Sequence, residues 1–217
     1  MGYMVNLSLK GREALVVGGG EIARRKVVDL LAAQARVTVV APRICDGIVA
    51  IAEVRAHRRP YRAEDIGDAF VAIAATDDED LNARISRDAT ARNVLVNVVD
   101  RPALCIFTVP ATVHRGDLTI AISTDGGCPA LSSILREELE GRYGPEYGPL
   151  VALFSELRRK MIALGWKGPE IREKLAAIYR DGVMERITAG DERQLRELDK
   201  LKHVLPVKPQ DPRGLAE

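Results

Sequence analysis

A short apolar run that ends in three consecutive glycines constrains the fold of this chain more than any other feature of its sequence. Residues 14–17 are all apolar, Gly18-Gly19-Gly20 follows at once, and from Glu21 onward the apolar residues recur with helical spacing. A short run without polar alternation is typical of a strand buried on both faces of a sheet. The sequence therefore predicts a buried strand, a tight glycine turn and a helix that packs back against the strand.

The same alternation of strand and helix continues through the first hundred residues. Three further apolar runs are predicted strands: residues 36–40, 70–75 and 94–99. Residues 79–92 have the pattern of a helix between the last two of these strands. Strands that alternate with helices pair in parallel, and such sheets collect their ligands beyond the carboxyl ends of the strands. The glycine turn, Thr76-Asp77 and Asp100 fall at those ends.

The pattern changes after Asp100. Residues 106–109 and 118–123 are predicted strands, and Pro129 stands at the first turn of a helix that extends to about Glu140. Glycines and prolines then crowd together, and the segments beyond them are predicted helices: residues 150–164, 170–179 and 191–201. The chain is divided accordingly into four parts, a dinucleotide-binding domain, a short connecting unit, a helical domain and a flexible tail: residues 1–110, 111–144, 145–203 and 204–217.

Charge and composition exclude several functional classes. The chain has 32 Lys and Arg against 31 Asp and Glu, whereas a nucleic-acid-binding protein usually has a large basic excess. No apolar run approaches the roughly 20 residues that cross a bilayer, and the first residues lack the pattern of a secretion signal. Cys45, Cys105 and Cys128 are too widely scattered for a disulfide framework or a metal site. We therefore expect a cytoplasmic protein without a nucleic-acid partner, a membrane segment or a bound metal.

The glycine turn matches the G-x-G-x-x-A pattern of dinucleotide-binding sites, with Gly18, Gly20 and Ala23 at the fixed positions. Glycine allows a tight turn and lets the backbone approach a pyrophosphate, whose charge the N-terminus of the helix attracts. The alternative is a structural turn that binds no ligand. The residues predicted to contact a coenzyme lie in this turn and at the strand ends: Gly18, Gly20, Glu21, Ile22, Ala23, Pro42, Arg43, Thr76, Asp77 and Val99.

The sequence defines the class of coenzyme better than its identity. NAD sites often hold the ribose hydroxyls with an acidic residue about 20 residues beyond the glycines, at the end of the second strand. Here that strand ends in Ala41-Pro42-Arg43, without a carboxylate. Arg43 is either a contact for the 2′-phosphate of NADP or a solvated surface cation. We expect NAD and leave NADP open.

Carboxylates at two strand ends have alternative interpretations. Asp100 either takes a proton or holds a cationic intermediate beside the nicotinamide, or it caps the loop that begins with Arg101. Thr76 and Asp77 either contact the coenzyme, or Asp77 and Asp78 cap the following helix. Their positions in the sequence do not choose between these roles.

Separated blocks of the sequence resemble one protein family in their order and spacing. The blocks include the glycine turn and the strand that ends in Asp100, and they are residues 10–12, 15–26, 37–42, 74–78, 81–82, 96–100 and 118–124. Over about residues 5–140 the chain resembles the precorrin-2 dehydrogenases, which also form the N-terminal module of siroheme synthase. Gly144-Pro145-Glu146-Tyr147 resembles the helical tail of the stand-alone members, so we expect a form without the methyltransferase module.

This resemblance implies a fold, an activity and an assembly. The fold is α/β, a Rossmann-like parallel sheet followed by a small α+β dimerisation unit at residues 111–144 and a helical C-terminal domain. The activity is the NAD-dependent oxidation of precorrin-2, a tetrapyrrole, to sirohydrochlorin in siroheme biosynthesis, carried out by a homodimer. Some members also insert Fe²⁺ or Co²⁺ into the product, and the sequence does not decide whether this chain does. The alternative from another class is a non-catalytic module that senses NAD(H).

The resemblance also assigns site residues. It implies that Asp100 is catalytic, and it places five substrate-binding residues on the last strand of the sheet and on the loop before the helix at Pro129: Asn97, Ser123, Thr124, Gly126 and Gly127. Arg43, His114 and Cys128 depart from residues that are common in the family at these positions, and some members have a serine in place of Thr124. These departures leave the coenzyme preference and metal insertion open but not the fold.

Overall fold

The computed structural model describes residues 2–189, which form two compact units. Of the described residues, the first unit contains residues 2–109 together with Asp125–Gly127, and the second contains residues 110–124 and 128–189. The turn at Asp125–Gly127 therefore belongs to the first unit, although its neighbours on both sides in the sequence belong to the second.

The first unit is built on a sheet of five strands. They are β1 (Glu13–Val17), β2 (Arg36–Val40), β3 (Arg55–His57), β4 (Val71–Ala74) and β5 (Leu95–Val98). Their order across the sheet is β3-β2-β1-β4-β5, and every adjacent pair is parallel. Because β1 lies between β2 and β4, the turns that follow these three strands meet at one edge of the sheet.

Helices on the two faces of this sheet explain why the last four residues of β1 are all apolar. The helices are α1 (Glu21–Ala32), α2 (Asp46–Val49) and α3 (Glu79–Ala91). Val16 of β1 packs in a buried cluster with Val27 of α1, whereas Leu15 and Val17 pack in a second cluster with Ile85 of α3. Alternate side chains of β1 thus enter hydrophobic cores on opposite faces, as in other parallel sheets covered by helices.

The second unit combines a two-stranded antiparallel sheet with helices. Its elements are β6 (Ala111–Arg115), β7 (Leu118–Ile122), α4 (Pro129–Arg142), α5 (Tyr147–Ala163), α6 (Gly168–Arg180) and α7 (Val183–Ala189). The Arg115 guanidinium of β6 donates to the backbone oxygens of Tyr143 at 2.7 Å and Glu140 at 3.1 Å, which satisfies carbonyl groups at the end of α4. Leu153, Leu157, Trp166 and other apolar side chains form the core between the last three helices.

The predicted α/β architecture is confirmed, with differences at particular segments. The strand predicted at residues 106–109 is wrong, because Ile106 and Phe107 only run beside β5 and donate to the backbone oxygen of Val96, while β6 begins later in the chain. The short elements β3 and α2 have no pattern in the sequence that predicts them. The helix predicted at residues 191–201 and the tail predicted at residues 204–217 lie outside the described residues, and the predicted domain boundaries stay predictions. No helix within residues 2–189 has the length and apolar character to cross a membrane.

Candidate functional site

Two glycines of the turn after β1 are required by the close approach of neighbouring backbone. Gly18 has φ +126°, and a Cβ on it would overlap the carbonyl oxygen of Ala75, at the end of β4. A Cβ on Gly19 would overlap the carbonyl oxygen of Arg43, which follows β2. Gly19 occupies a variable position of the sequence motif, so the motif alone did not identify it as an essential glycine. The turn is fixed by the sheet itself, with or without a ligand.

Gly20 differs from the two glycines before it, because a Cβ on it would meet no atom within 4 Å. It is the N-cap residue of α1, with φ −88° and ψ −170°, and it has no side chain to cap the first amide groups of the helix. The first turn of α1 therefore presents backbone donors and a positive helix dipole to open space. This arrangement fits the pyrophosphate of a dinucleotide, which needs both the donors and room for close approach.

The three residues after Gly20 have different environments. Glu21 is exposed and accepts two hydrogen bonds from Arg24, at 2.8 and 2.7 Å, and this contact lowers the pKa of Glu21 below its usual range. Ile22 is 47% exposed, whereas Ala23 is fully buried against the sheet. Ala23 thus allows the helix to pack closely, and Ile22 remains free to contact a ligand.

The end of β2 carries positive charge where many NAD sites carry a carboxylate. Pro42 and Arg43 are exposed, and the Arg43 guanidinium has no hydrogen bond or ion pair with any residue that the structure describes. The backbone of β3 pairs beside β2, and the oxygen of His57 accepts a hydrogen bond from Ala41 at 3.2 Å. His57 and Arg58 are also exposed, so this corner of the sheet would attract an additional phosphate.

Thr76 and its neighbours join the end of β4 to helix α3. The Thr76 hydroxyl donates to Oδ1 of Asn82 at 2.8 Å, and Nδ2 of Asn82 donates to the backbone oxygen of Thr76 at 2.9 Å. Asp78 caps α3 by accepting a hydrogen bond from the backbone of Leu81 at 2.9 Å, as one of the two interpretations of this segment predicts. Asp77 is exposed beside them. Asn82 is a buried residue of this site, and no sequence pattern indicated a role for it.

Asp100 lies directly after β5 in an unusual backbone conformation. Its φ is +58°, which is uncommon for a residue other than glycine, and the residue is exposed. It lines a cavity of about 500 Å³ together with Ile22, Val99 and residues on the outer face of α1. It also lines a smaller cavity of about 240 Å³ together with Asn97 and the loop that follows β5. The residues common to the two cavities are Lys26, Val99 and Asp100.

A network of contacts holds the turn that presents Asp100. Sγ of Cys105 accepts a hydrogen bond from the backbone of Val98 at 3.1 Å, and Arg101 forms an ion pair with Glu79 at the start of α3. Nδ2 of Asn97 donates to the backbone oxygen of Phe107 at 3.0 Å. Asn97 therefore lines the smaller cavity while its amide holds the loop beneath it. Cys105 is a supporting residue that sequence spacing could not reveal, because its partner lies on the preceding strand.

The structure separates the remaining predicted substrate residues between the two units. Gly126 and Gly127 belong to the first unit, and a Cβ on Gly126 would lie 3.7 Å from Pro102, which lines the smaller cavity. Ser123 and Thr124 belong to the second unit. There the Thr124 hydroxyl accepts a hydrogen bond from the backbone of Cys128 at 3.1 Å, before the first turn of α4.

Two family models match the chain. Residues 5–111 match a model for NAD(P)-binding domains, and residues 115–142 match a model described as the central part of a sirohaem biosynthesis protein. The open glycine turn and Asp100 both lie within the first match. The chain therefore contains a domain that binds a nicotinamide coenzyme.

Known proteins are similar to the chain over most of its length. It is 41% identical over 189 residues to the siroheme synthase of Pseudomonas aeruginosa PAO1, a match that covers 84% of this chain and 40% of that protein. It is 42% identical over 164 residues to the siroheme synthase of Thioalkalivibrio sulfidiphilus, covering 74% of this chain and 34% of that protein. The chain thus spans two fifths or less of the length of these curated relatives.

A solved structure matches most of the chain. SirC, a precorrin-2 dehydrogenase, superposes with a TM-score of 0.74 at 30% sequence identity. The match covers 93% of this chain and 98% of that one. The resemblance found in the sequence blocks is therefore confirmed by a relative of similar length.

Substitution of Gly19 and Gly20 by alanine will separate the structural role of the turn from its ligand-binding role. Gly19→Ala forces a methyl group against the backbone of Arg43, so we expect the free energy of unfolding to fall by about 1–3 kcal/mol. Gly20→Ala places the methyl group in open space at an allowed φ, so we expect a melting temperature close to that of the unchanged chain. Its NAD⁺ dissociation constant should rise about tenfold or more, because the methyl group displaces a charge-assisted hydrogen bond to phosphate.

Chemical denaturation and calorimetric titration with NAD⁺ provide the two measurements. Gly141→Ala is the matched control, since a Cβ there also meets open space but lies far along α4. Equal NAD⁺ affinity in the Gly20→Ala and Gly141→Ala variants would contradict a pyrophosphate site at this turn.

Proposed function

The chain belongs to the precorrin-2 dehydrogenase family, and from that premise we propose that it oxidises precorrin-2 to sirohydrochlorin with NAD⁺ as the electron acceptor. One observation carries the proposal: the open helix N-terminus at Gly20 and the cavities lined by Asp100 lie at the same carboxyl edge of one parallel sheet. This edge is where such folds bring coenzyme and substrate together. The reaction is a step of siroheme biosynthesis.

The strand ends divide the binding of the coenzyme among them. The amide groups at the start of α1 bind the pyrophosphate, and Pro42 and Arg43 at the end of β2 face the adenosine ribose. Thr76 and Asp77, after β4, contact the nicotinamide half, and Val99 after β5 supports the nicotinamide ring beside Asp100. These roles follow the order of strands β2, β1, β4 and β5 across the sheet, because an extended dinucleotide lies across the strand ends.

The oxidation removes two electrons and two protons from precorrin-2. When bound, the coenzyme accepts a hydride, which carries both electrons and one proton away from a ring carbon. We assign removal of the second proton to the Asp100 carboxylate, which lines both cavities. The positive φ of Asp100 and the contacts of Cys105 and Arg101 hold this carboxylate at the end of β5. Alignment of the two reactants supplies much of the rate enhancement, so the rigid turn is itself part of the mechanism.

The exposed basic residues near the end of β2 support the use of NADP⁺ as well as NAD⁺. Arg43 has no ion pair within the described part of the chain, and His57 and Arg58 lie exposed at the end of the adjacent strand. The residues directly after β2, Ala41-Pro42-Arg43, include no carboxylate to repel a 2′-phosphate, and a guanidinium is suited to bind one. We therefore propose that NAD⁺ is the principal coenzyme and that NADP⁺ is also accepted.

We further propose a homodimer formed through β6, β7 and α4. A sheet of only two strands is rarely stable by itself and leaves both outer edges unpaired. Leu131 and Ile134 of α4 are 44% and 60% exposed, although both are large apolar residues. A second copy of the chain would cover these side chains and extend the sheet.

The sequence also suggested two other functions, a non-catalytic NAD(H) sensor and an enzyme that inserts a metal ion. The non-catalytic sensor is set aside, because the relative of similar length is an enzyme. Insertion of Fe²⁺ or Co²⁺ stays a prediction, with Asp100 as the base that would remove the pyrrole protons. Within residues 2–189 no group of three or more His, Cys, Asp or Glu side chains is placed to hold a metal ion.

Anaerobic incubation with precorrin-2 tests the proposed reaction and the role of Asp100 together. The unchanged chain should form sirohydrochlorin with NAD⁺, and none should form without a coenzyme. Asp100→Asn keeps the size of the side chain, and asparagine tolerates a positive φ, so the variant should fold and bind NAD⁺ normally. Its kcat should fall about 100-fold or more, the usual contribution of a general base.

Asp68→Asn provides the matched control for this experiment. Asp68 is also exposed, but it precedes β4 and so lies at the opposite edge of the sheet. Sirohydrochlorin formation at an equal rate by the two variants would contradict the role of Asp100. Failure of the unchanged chain to oxidise precorrin-2 with either coenzyme would contradict the proposed function itself.

The coenzyme proposal predicts a selective effect of Arg43→Asp. The new carboxylate would repel a 2′-phosphate and accept hydrogen bonds from the ribose hydroxyls of NAD⁺. We expect kcat/KM for NADP⁺ to fall about tenfold or more, and kcat/KM for NAD⁺ to stay the same or rise. Steady-state rates at fixed precorrin-2 concentration measure both. An equal loss with the two coenzymes would indicate that Arg43 does not face the 2′-position.

The dimer proposal predicts that Ile134→Glu separates the two copies. A charge buried in an apolar interface without a partner is strongly unfavourable, so the variant should sediment as a monomer at concentrations where the unchanged chain is a dimer. Ser133→Glu changes the neighbouring exposed position of the same helix and serves as a second variant that maps the edge of the surface. Sedimentation of the unchanged chain as a monomer would contradict the proposal.

A further inference from the structure

Helix α1 carries three consecutive cations, and one of them has no counter-ion among residues 2–189. Arg24 pairs with Glu21 at 2.7 Å, and Arg25 lies 3.6 Å from the same carboxylate. Lys26 is half-buried, yet its ammonium forms no hydrogen bond or ion pair with another residue in the described range 2–189. A partly desolvated cation without a partner is unfavourable in the free protein and favours binding of an anion.

Lys26 is also the cation that lies in both cavities of the candidate site. It contributes to the walls of the larger and the smaller cavity, as do Val99 and Asp100. Arg24 and Arg25 line the larger cavity but not the smaller one. Arg101 lines the smaller cavity and is paired with Glu79. Among the described residues, Lys26 is therefore the cation without an ion pair that lines both of the cavities lined by Asp100.

The position of Lys26 along α1 argues against a role in binding the coenzyme pyrophosphate. It lies six residues beyond Gly20, which corresponds to about 9 Å along the helix axis at 1.5 Å per residue. The pyrophosphate binds at the first turn, where the free amide groups are. Lys26 lies beyond that turn and lines both cavities.

We infer that Lys26 binds a carboxylate of the tetrapyrrole substrate and thereby positions the macrocycle against Asp100. This inference rests on the proposed function, since it takes the substrate to be a polycarboxylate. The Asp100 carboxylate repels such a substrate, and Asp29, one turn beyond Lys26, adds a second negative charge to the larger cavity. The Lys26 ammonium, which lines the same cavity, offsets this repulsion and fixes one edge of the ring system. Lys26 is thus a positioning residue and takes no part in the transfer of hydride or proton.

Kinetics of Lys26 variants with precorrin-2 and NAD⁺ test this role. Lys26→Met keeps the length of the side chain and removes its charge, so we expect KM for precorrin-2 to rise about tenfold or more, as for loss of a charge-assisted contact. KM for NAD⁺ should stay unchanged. Lys26→Arg keeps the charge and should restore most of the precorrin-2 affinity. Lys174→Met is the matched control, because Lys174 is a half-buried lysine of helix α6 in the other unit.

The dependence of the rate on salt gives a second readout that a purely structural role would not alter. Exposed and half-exposed charges are screened as ionic strength rises. The kcat/KM of the unchanged chain for precorrin-2 should therefore fall with added NaCl, and this dependence should be weaker in Lys26→Met. Thermal melting of Lys26→Met and of a second neutral variant, Lys26→Gln, reports whether the fold is retained.

The outcomes separate this inference from the proposed function. If the unchanged chain oxidises precorrin-2 and both neutral variants have its precorrin-2 KM and salt dependence, the inference is overturned while the function stands. A rise in KM for NAD⁺ instead of precorrin-2 would also overturn it, since the lysine would then serve the coenzyme. An unchanged chain that does not oxidise precorrin-2 overturns both.

Discussion

The close packing of three backbone segments at the end of β1 determines where the first half of the candidate site lies. The carbonyl oxygens of Ala75 and Arg43 approach the turn so closely that Gly18 and Gly19 have no room for a side chain. This packing fixes the direction in which α1 leaves the sheet. The free amide groups at the start of α1 and the Lys26 side chain that lines the cavities therefore belong to the same helix.

The second half of the site is fixed by a different set of contacts on the edge strand β5. Asp100 follows that strand with φ +58°, and the loop after it is held by Cys105, by Asn97 and by the ion pair of Arg101 with Glu79. Under the proposed mechanism this arrangement favours the reaction, because a carboxylate that is already aligned needs little rearrangement in the transition state. The coenzyme half and the carboxylate half thus meet at one edge of the sheet, although they are separated by about eighty residues of sequence.

Local pattern predicted the central strands well, and its failures have physical causes. Four strands of the sheet, β1, β2, β4 and β5, are largely buried, and burial requires apolar side chains. Their apolar runs are therefore easily recognised in the sequence. β3 is exposed at the sheet edge and has the sequence Arg-Ala-His, so it has no such pattern. The apolar run at residues 106–109 suggested a strand, yet it only lies beside β5 and donates to Val96. The need for glycine at position 19 depends on the loop after β2, a contact that no local motif records. The position of Asp100 at the end of a strand could be predicted from the sequence pattern. Its proposed catalytic role came from the resemblance to a family.

The most direct test of this account is a crystal structure of the chain with bound NAD⁺. We predict that the pyrophosphate lies on the amide groups at Gly20 and Glu21 and that the nicotinamide ring reaches Val99. The face of the ring should border the cavity lined by Asp100 and Lys26, with space for a macrocycle between them. A coenzyme bound away from Gly20, or a nicotinamide ring that points away from Asp100, would contradict the account.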